Sequence, residues 1–368
     1  ESLLESIKCK GDDLLVHFKE KEKDVLKDLM EERQFSTKYF DTFILTDNKF
    51  DKILQHFGLK SEIDCPNLCL SGGVIMNSMF NGRIAAEQVF ENIYVPFAPD
   101  DSGNSIGAAL WTAFRSDQYI QQEAAANPFL GRAYTDAEIE NQLEASNLRI
   151  EPKKDIITTT ADLLDQGKIV GWFQGRMEFG PRALGARSIL GDARSTEMQK
   201  NLNLKVKYRE SFRPFAPSII RENVSEWFDI NCDSPYMLTV ANVSPKKCIK
   251  MNKEEEQLFG IEKLNIKRSE IPAVTHVDYS ARIQTVNKDT NPKYHKLISE
   301  FNKKTGCPIV VNTSFNVRGE PIVHSPEDAF KCFMGTEIDV LAIGNCLLKK
   351  EKQNMKLKNN YKNKYELD

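Results

Sequence analysis

No run of apolar residues approaches the ~18 that a bilayer span requires. The first residues, Glu1-Ser2-Leu3-Leu4-Glu5-Ser6, have neither the charge nor the apolar order of a signal peptide. A membrane partner is therefore not expected, and the expected compartment is the cytoplasm. Net charge is also nearly absent: 50 lysines and arginines stand against 53 aspartates and glutamates, a formal −3 at pH 7. No global basic field draws such a chain to nucleic acid, so any anion must be bound locally. The eight cysteines include no C-x-x-C pair, which excludes the commonest zinc spacing and points to reduced thiols. Histidine is scarce, with only His17, His56, His276, His295 and His324. No two of them stand four apart, so an H-x-x-x-H metal pair is missing. An initiator Met is missing as well, which leads us to expect a large fragment of a longer protein.

What is there suffices for two or three cores, since 40% of the 368 residues are hydrophobic and 28% charged. The opening ~60 residues are charged and helix-like, as in Glu20 to Arg33, with a capped helix start at Thr46. Two units then follow the same plan. Asn67-Leu-Cys-Leu-Ser-Gly-Gly-Val-Ile-Met-Asn reads as a buried strand, a double-glycine turn and a helix. Ile93 to Leu110 repeats the plan, and the small residues Gly107, Ala108 and Ala109 predict close helix packing. Residues 127–154 read as a connector with one helix, opened by the capping box Thr135-x-x-Glu138. A fresh alternation begins near residue 150, with a helix from Thr160 stopped at Gly167 and a strand from Ile169 to Phe173. The expected divisions are 1–126, 127–154, 155–350 and a solvated, mobile Lys-rich tail over 351–368.

The chemistry concentrates after that strand. Arg176, Arg182 and Arg187 sit around Gly175, Gly180 and Gly185, and glycine turns can aim guanidinium forks at one phosphate or carboxylate. The alternative is pairing with surface acids such as Glu178 and Asp192. A second cationic stretch, Lys205 to Ser218, reads as extended, which puts Lys205, Lys207 and Arg209 on one face, with Arg213 held before a proline. Two such loops point to a polyanionic ligand. In a third stretch, Cys307 to Pro321, a buried strand breaks into a polar turn where Ser314 and Asn316 read as ligand hydrogen-bonders or as turn formers.

In order, "GRMEFGPRALGARSIL", "KYRESFRPFAPS", "HVDYSARIQTV" and "VVNTSFNVRGEPIV" resemble the C-terminal domain of the NodU-type O-carbamoyltransferases. The earlier "LSGGVIMNSMFNGRI" and "PDDSGNSIGAAL" are similar to the second half of that family's N-terminal domain. The resemblance implies an α/β (α+β) chain: half of a sugar-kinase/actin-like domain, followed by a YrdC-like α/β domain. It further implies that carbamoyl phosphate and ATP, with Mg, are converted to a carbamoyl adenylate, from which a hydroxyl of a small molecule or glycan is carbamoylated. By motif match, Arg182, Lys207 and Arg213 would act on the phosphate and carbamoyl groups. Arg176, Arg187, Arg209, Arg282, Thr313, Ser314 and Asn316 would bind substrate or nucleotide. Gly72, Gly73 and Asn77 match a nucleotide-contacting turn, and Asp101 a metal-ligand aspartate. Tyr279 stands where the family motif leads us to expect glycine. An iron or zinc ion is expected only in the full-length protein, whose H-x-x-x-H pair this chain lacks, and an exposed apolar half-cleft predicts self-association as a homodimer. Threonylcarbamoyl or carbamoyl transfer to tRNA or protein, and a non-catalytic nucleotide-binding module, are the alternatives.

Overall fold

A computed structural model describes residues 4–10, 13–18, 67–88, 90–116, 127–146, 148–357, 361 and 365. The helices expected over Glu20 to Arg33 and from Thr46 lie outside the described residues. Residues 4–10 and 13–18 are not helical: β1 (Leu4–Lys10) and β2 (Asp13–Phe18) pair antiparallel. The sequence carries that signal as two apolar runs separated by the turn dipeptide Gly11-Asp12.

Both strand-turn-helix units are present. β3 (Asn67–Cys69) leads through a 3-10 turn, Gly73–Met76, into α1 (Ser78–Ala86). β4 (Asn92–Tyr94) leads through a second turn, Asp101–Gly103, into α2 (Asn104–Arg115). The two strands pair in parallel. Neither β3 nor α2 is buried as expected. β3 alternates exposed and half-buried, and a Cβ on Gly107 would meet nothing within 4 Å. The large apolar side chains of α2 remain in solvent, with Leu110 51%, Trp111 58% and Phe114 61% exposed.

The rest of the described chain builds one mixed sheet of ten strands in the order β5-β14-β13-β6-β7-β12-β8-β11-β10-β9. Its strands are β5 (Glu151–Pro152), β6 (Val170–Phe173), β7 (Arg187–Asp192), β8 (Ala216–Ile220) and β9 (Phe228–Asp229), then β10 (Thr239–Val243), β11 (Ser280–Val286), β12 (Ile309–Ser314), β13 (Val340–Ile343) and β14 (Cys346–Lys349). Only β13–β6 and β11–β8 run parallel. β6, β7 and β8 are buried at every position, the polar Arg187, Ser188, Asp192 and Ser218 included, so both faces of the central sheet are covered.

Four capped helices border the sheet. α3 (Asp136–Ala145) carries both halves of the capping box at Thr135 and Glu138. α4 (Ile156–Asp165) starts four residues before Thr160, because Asp155 caps it by accepting from Thr158 N. Gly167 still ends it, at φ 75°. α5 (Pro292–Thr305) is capped by Asn291, and α6 (Pro326–Gly335) by a Ser325–Asp328 capping box. Ile139, Leu143 and Leu148 of the connector are buried in the same core as the sheet. The C-terminal end is not free of the fold either. Gln353 is 5% exposed and exchanges hydrogen bonds with the Arg149 backbone, and Tyr361 is 2% exposed. Its described lysines, Lys352 and Lys356, are exposed, but Tyr361 has apolar surface to bury.

The N-terminal units dock on the sheet through α1. A Cβ on Gly82 would lie 2.1 Å from Val240 O of β10, so only glycine allows this approach. Asn81 Nδ2 donates to Leu238 O at 2.7 Å. Beside it, the Phe97 ring packs edge-on against Phe179 and Tyr236.

Candidate ligand cleft

The loop from Gln174 to Ala186 joins β6 to β7, and its shape is set from inside. Gly175, Gly180 and Gly185 have φ of 58°, 116° and 103°, as the glycine spacing predicts. Glu178 is 3% exposed and its Oε1 accepts from the backbone N–H of Leu184, Ala186 and Arg187. It is thus an internal tie for the loop, while Asp192 pairs with Arg194 at 2.8 Å. Neither acid is the surface partner considered for the loop's arginines.

Within the loop the three arginines separate. Arg187 is fully buried, donates to the carbonyls of Gln174, Gly175, Ala186 and Arg132, and stacks 3.6 Å from the Phe173 ring centroid. Burial pushes it down to about 10. Arg176 donates to Phe129 O at 3.1 Å and Leu130 O at 2.7 Å and so fastens the connector. Neither is brought to a ligand site. Arg182 differs: it faces a cleft of about 350 Å³. Its Nε is buried with no hydrogen-bond partner among the described residues.

That cleft also receives Arg209, Arg213 and Arg282, together with His276, Thr313 and Ser314, while Ser78 and Met79 of α1 close one side. No aspartate or glutamate is among its described lining residues. Burial pushes Arg282 down to about 9, with the like charges of Arg182 and Arg209 as further causes. Arg209 is pushed down to about 10 by burial and then by Arg213. Its Nε donates to Asn203 Oδ1 at 2.7 Å. Arg213 pairs with Glu210 at 3.0 Å, but both side chains are more than 40% exposed, so that pair holds it weakly. Burial lowers His276, which favours the uncharged ring, and its Nδ1 lies 3.0 Å from Ser280 Oγ. Asn312, also in the lining, has a buried Oδ1 without a partner.

The second cationic stretch is not extended. Residues Leu202–Lys207 form a π-helical turn, with Lys205 exposed and Lys207 buried. The reason is apolar spacing: Leu202 and Val206, four apart and both 0% exposed, seek the core on one helical face. Lys207 is therefore buried beside the cleft and is not among the residues that line it. Its Nζ donates to Ser314 O at 2.5 Å, Ser314 Oγ at 3.1 Å, Asn316 O at 2.9 Å and Asn316 Oδ1 at 2.7 Å. It braces the turn that presents Thr313 and Ser314, and Asn316 lies behind that turn. Sequence reasoning overlooked Asn203, whose Nδ2 ties down the Ser211 and Arg213 carbonyls. Its i, i+4 relation to Lys207 was the available signal.

Gly72, Gly73, Asn77 and Asp101 form a neighbouring pair of turns outside this lining. Gly72 N donates to Pro99 O at 2.7 Å, which joins the two turns. Asn77 caps α1 by accepting from Phe80 N, immediately before Ser78. Asp101 is exposed, and Asp100 caps its turn. Tyr279 adopts φ 65°, a left-handed conformation that explains why glycine is expected there.

Two family models match the chain, "Carbamoyltransferase C-terminus" over residues 161–350 and "Carbamoyltransferase N-terminus" over residues 37–110. The uncharacterized protein sll1178 of Synechocystis sp. is 50% identical over 318 residues, covering 82% of this chain and 51% of that protein. Nodulation protein NolO of Bradyrhizobium diazoefficiens is 39% identical over 287 residues, covering 77% and 49%. Nodulation protein U of Rhizobium fredii is 31% identical over 284 residues, covering 77% and 43%. The chain thus spans about half the length of the curated relatives it matches. Among solved structures, full-length HypF in its phosphate- and nucleotide-bound form aligns with TM-score 0.31 and 18% identity, over 54% of this chain and 22% of that one. That likeness is too slight to carry an argument. No described helix is long and apolar enough to cross a membrane.

Proposed function

The chain belongs to the carbamoyltransferase family, and we propose that its arginine cleft binds carbamoyl phosphate and ATP and converts them to a carbamoyl adenylate. One observation carries this: Arg182, Arg209, Arg213 and Arg282 converge on a cleft that no described carboxylate lines. Such a concentration of cations opposes folding unless a ligand supplies the missing negative charge. Both substrates are polyanions that repel each other: water releases phosphate from carbamoyl phosphate to leave carbamate, and a carbamate oxygen then attacks the α-phosphorus of ATP and expels pyrophosphate. Fixed guanidinium groups in a half-buried cleft offset that repulsion and stabilise the departing charge. The His276 ring and the Thr313 and Ser314 hydroxyls supply directional hydrogen bonds beside them. The geometry supports a bracing role for Lys207 in place of direct contact with the transferred group.

In the same proposal residues 1–126 are half of an actin-like unit, 127–154 a connector, 155–350 a YrdC-like domain and 351–368 its Lys-rich end. The Gly72-Gly73 turn and Asn77 would meet a nucleotide, and the exposed Asp101 carboxylate suits a magnesium ion that ATP brings with it. Iron or zinc does not fit the residues at hand. Among those described, no group of three or more His, Cys, Asp or Glu stands together. Such a metal, and transfer to a small-molecule or glycan hydroxyl, belong to the full-length protein.

The test is pyrophosphate release with each substrate omitted in turn. Release that requires both ATP and carbamoyl phosphate is expected. Equal release without carbamoyl phosphate refutes the adenylation step, and no release leaves a nucleotide-binding module as the better reading.

A further inference from the structure

Glu320 is 9% exposed, and a carboxylate so placed requires donors. Backbone Val317 N donates to its Oε2 at 2.9 Å. The other oxygen is satisfied from far along the chain: Tyr361 OH donates to Oε1 at 2.7 Å and Tyr365 OH at 2.9 Å. The two tyrosine rings pack edge-on, with centroids 5.6 Å apart. Tyr361 is seated against α6 so closely that a Cβ on Gly335 would lie 2.4 Å from its ring. Both tyrosines lie beyond residue 350, where the family match ends.

Glu320 is in turn bonded to the cleft. Asn316 Nδ2 donates to Glu320 O at 2.6 Å, and Ser314 Oγ donates to Asn316 Oδ1 at 2.6 Å. Val323 N closes the loop onto Phe315 O at 3.0 Å. A continuous chain of hydrogen bonds thus runs from two C-terminal phenols to the strand end that presents Thr313 and Ser314.

We infer that Tyr361 and Tyr365 are positioning residues for the ligand cleft, holding the Thr313–Asn316 turn in place through the buried Glu320 carboxylate. Without their hydroxyls, Oε1 loses both phenol donors, and the carboxylate keeps only the Val317 N–H and the neighbouring Cys332 thiol. The carboxylate then gains by turning toward water, which pulls on Val317 and Asn316 and releases the turn. Only the effect on ligand binding rests on the function proposed above; the mechanical link does not.

The test uses the full chain with Tyr361→Phe and Tyr365→Phe combined, which keeps both rings and removes only the hydroxyls. Amide hydrogen exchange without ligand is compared with binding of pyrophosphate by calorimetry. Exchange over residues 313–320 should rise roughly ten-fold or more, the worth of one hydrogen bond to a charged group, with β6 and β7 unchanged. Pyrophosphate affinity should fall by a similar factor. Glu320→Gln should reproduce the exchange change by weakening the same bonds. Unchanged exchange at 313–320, or a uniform rise over the whole sheet, overturns the inference. If the parent protein itself fails to bind pyrophosphate, the proposed function fails and the exchange result still decides the link.

Discussion

Replacing Lys207 by Met should weaken the fold and the cleft together, contrary to the expectation of a surface catalytic lysine. The ammonium is 3% exposed, and its three N–H groups are shared among four oxygen atoms of Ser314 and Asn316, all within 3.1 Å. Met fills most of the same volume but donates nothing. Each buried acceptor left unpaired costs ~1–3 kcal/mol, and relief from burying an ammonium offsets part of the sum. A net loss of ~2–4 kcal/mol corresponds to a melting temperature lower by roughly 5–15 °C in a unit of this size. A pH signature accompanies it. Burial, with Arg209 as the second cause, pushes the ammonium from its ordinary 10.5 down to about 7. Between those values the unfolded chain holds the proton and the folded chain has released it, so parental stability rises with pH across that window. The slope is up to ~1.4 kcal/mol per pH unit. Below about pH 7 both states carry the proton and this contribution to the slope vanishes. Thermal melts of both proteins from about pH 6.5 to 9.5 separate the cases. A Lys207→Met protein that melts within about 2 °C of the parent, or keeps the parental pH slope, refutes the reasoning.

Arg282→Gln removes a cation that makes no hydrogen bond among the described residues and is repelled by Arg182 and Arg209. Calorimetry should show ATP binding roughly 10- to 100-fold weaker, with melting unchanged or slightly raised; lost stability with intact binding refutes that assignment. Gly82→Ala drives a methyl group against Val240 O and should cost ~1–3 kcal/mol by overpacking. Hydrogen exchange should then rise in α1 and β10 and stay constant in β6, and equal exchange everywhere counts against a tight α1–β10 contact. Arg187→Lys cannot reproduce a planar fork bonded to several carbonyls and should lower urea stability by ~2–4 kcal/mol. Unaltered stability would show that those bonds contribute little.

Much of the plan follows from local rules visible in the chain. The double-glycine turn after β3, the Thr135–Glu138 capping box and the positive-φ glycines of the 174–186 loop each depend on a few adjacent residues, and each is found where the spacing predicts. Failures occurred where distant groups decide. The Lys205–Arg209 alternation suggested a strand because basic residues stood out, while Leu202 and Val206 set the helical phase by being buried. The end of the chain read as mobile because lysines dominate it, yet Tyr361 and Tyr365 reach Glu320 across more than forty positions of sequence.

The sequence by itself determined that positive charge would be concentrated locally, around glycine turns, in a chain with almost no net charge, and its ordered motifs carried the family. Only the tertiary structure decided which cations face a ligand. Arg176 and Arg187 stand six and five positions from Arg182 and are chemically identical to it. The first two turn to backbone carbonyls that the fold leaves in need of donors, while Arg182 shares the cleft lining with Arg209, Arg213 and Arg282, and its buried Nε meets no acceptor among the described residues. A guanidinium's role depends on which acceptors surround it, and the strands that bring those acceptors together are far apart in the chain.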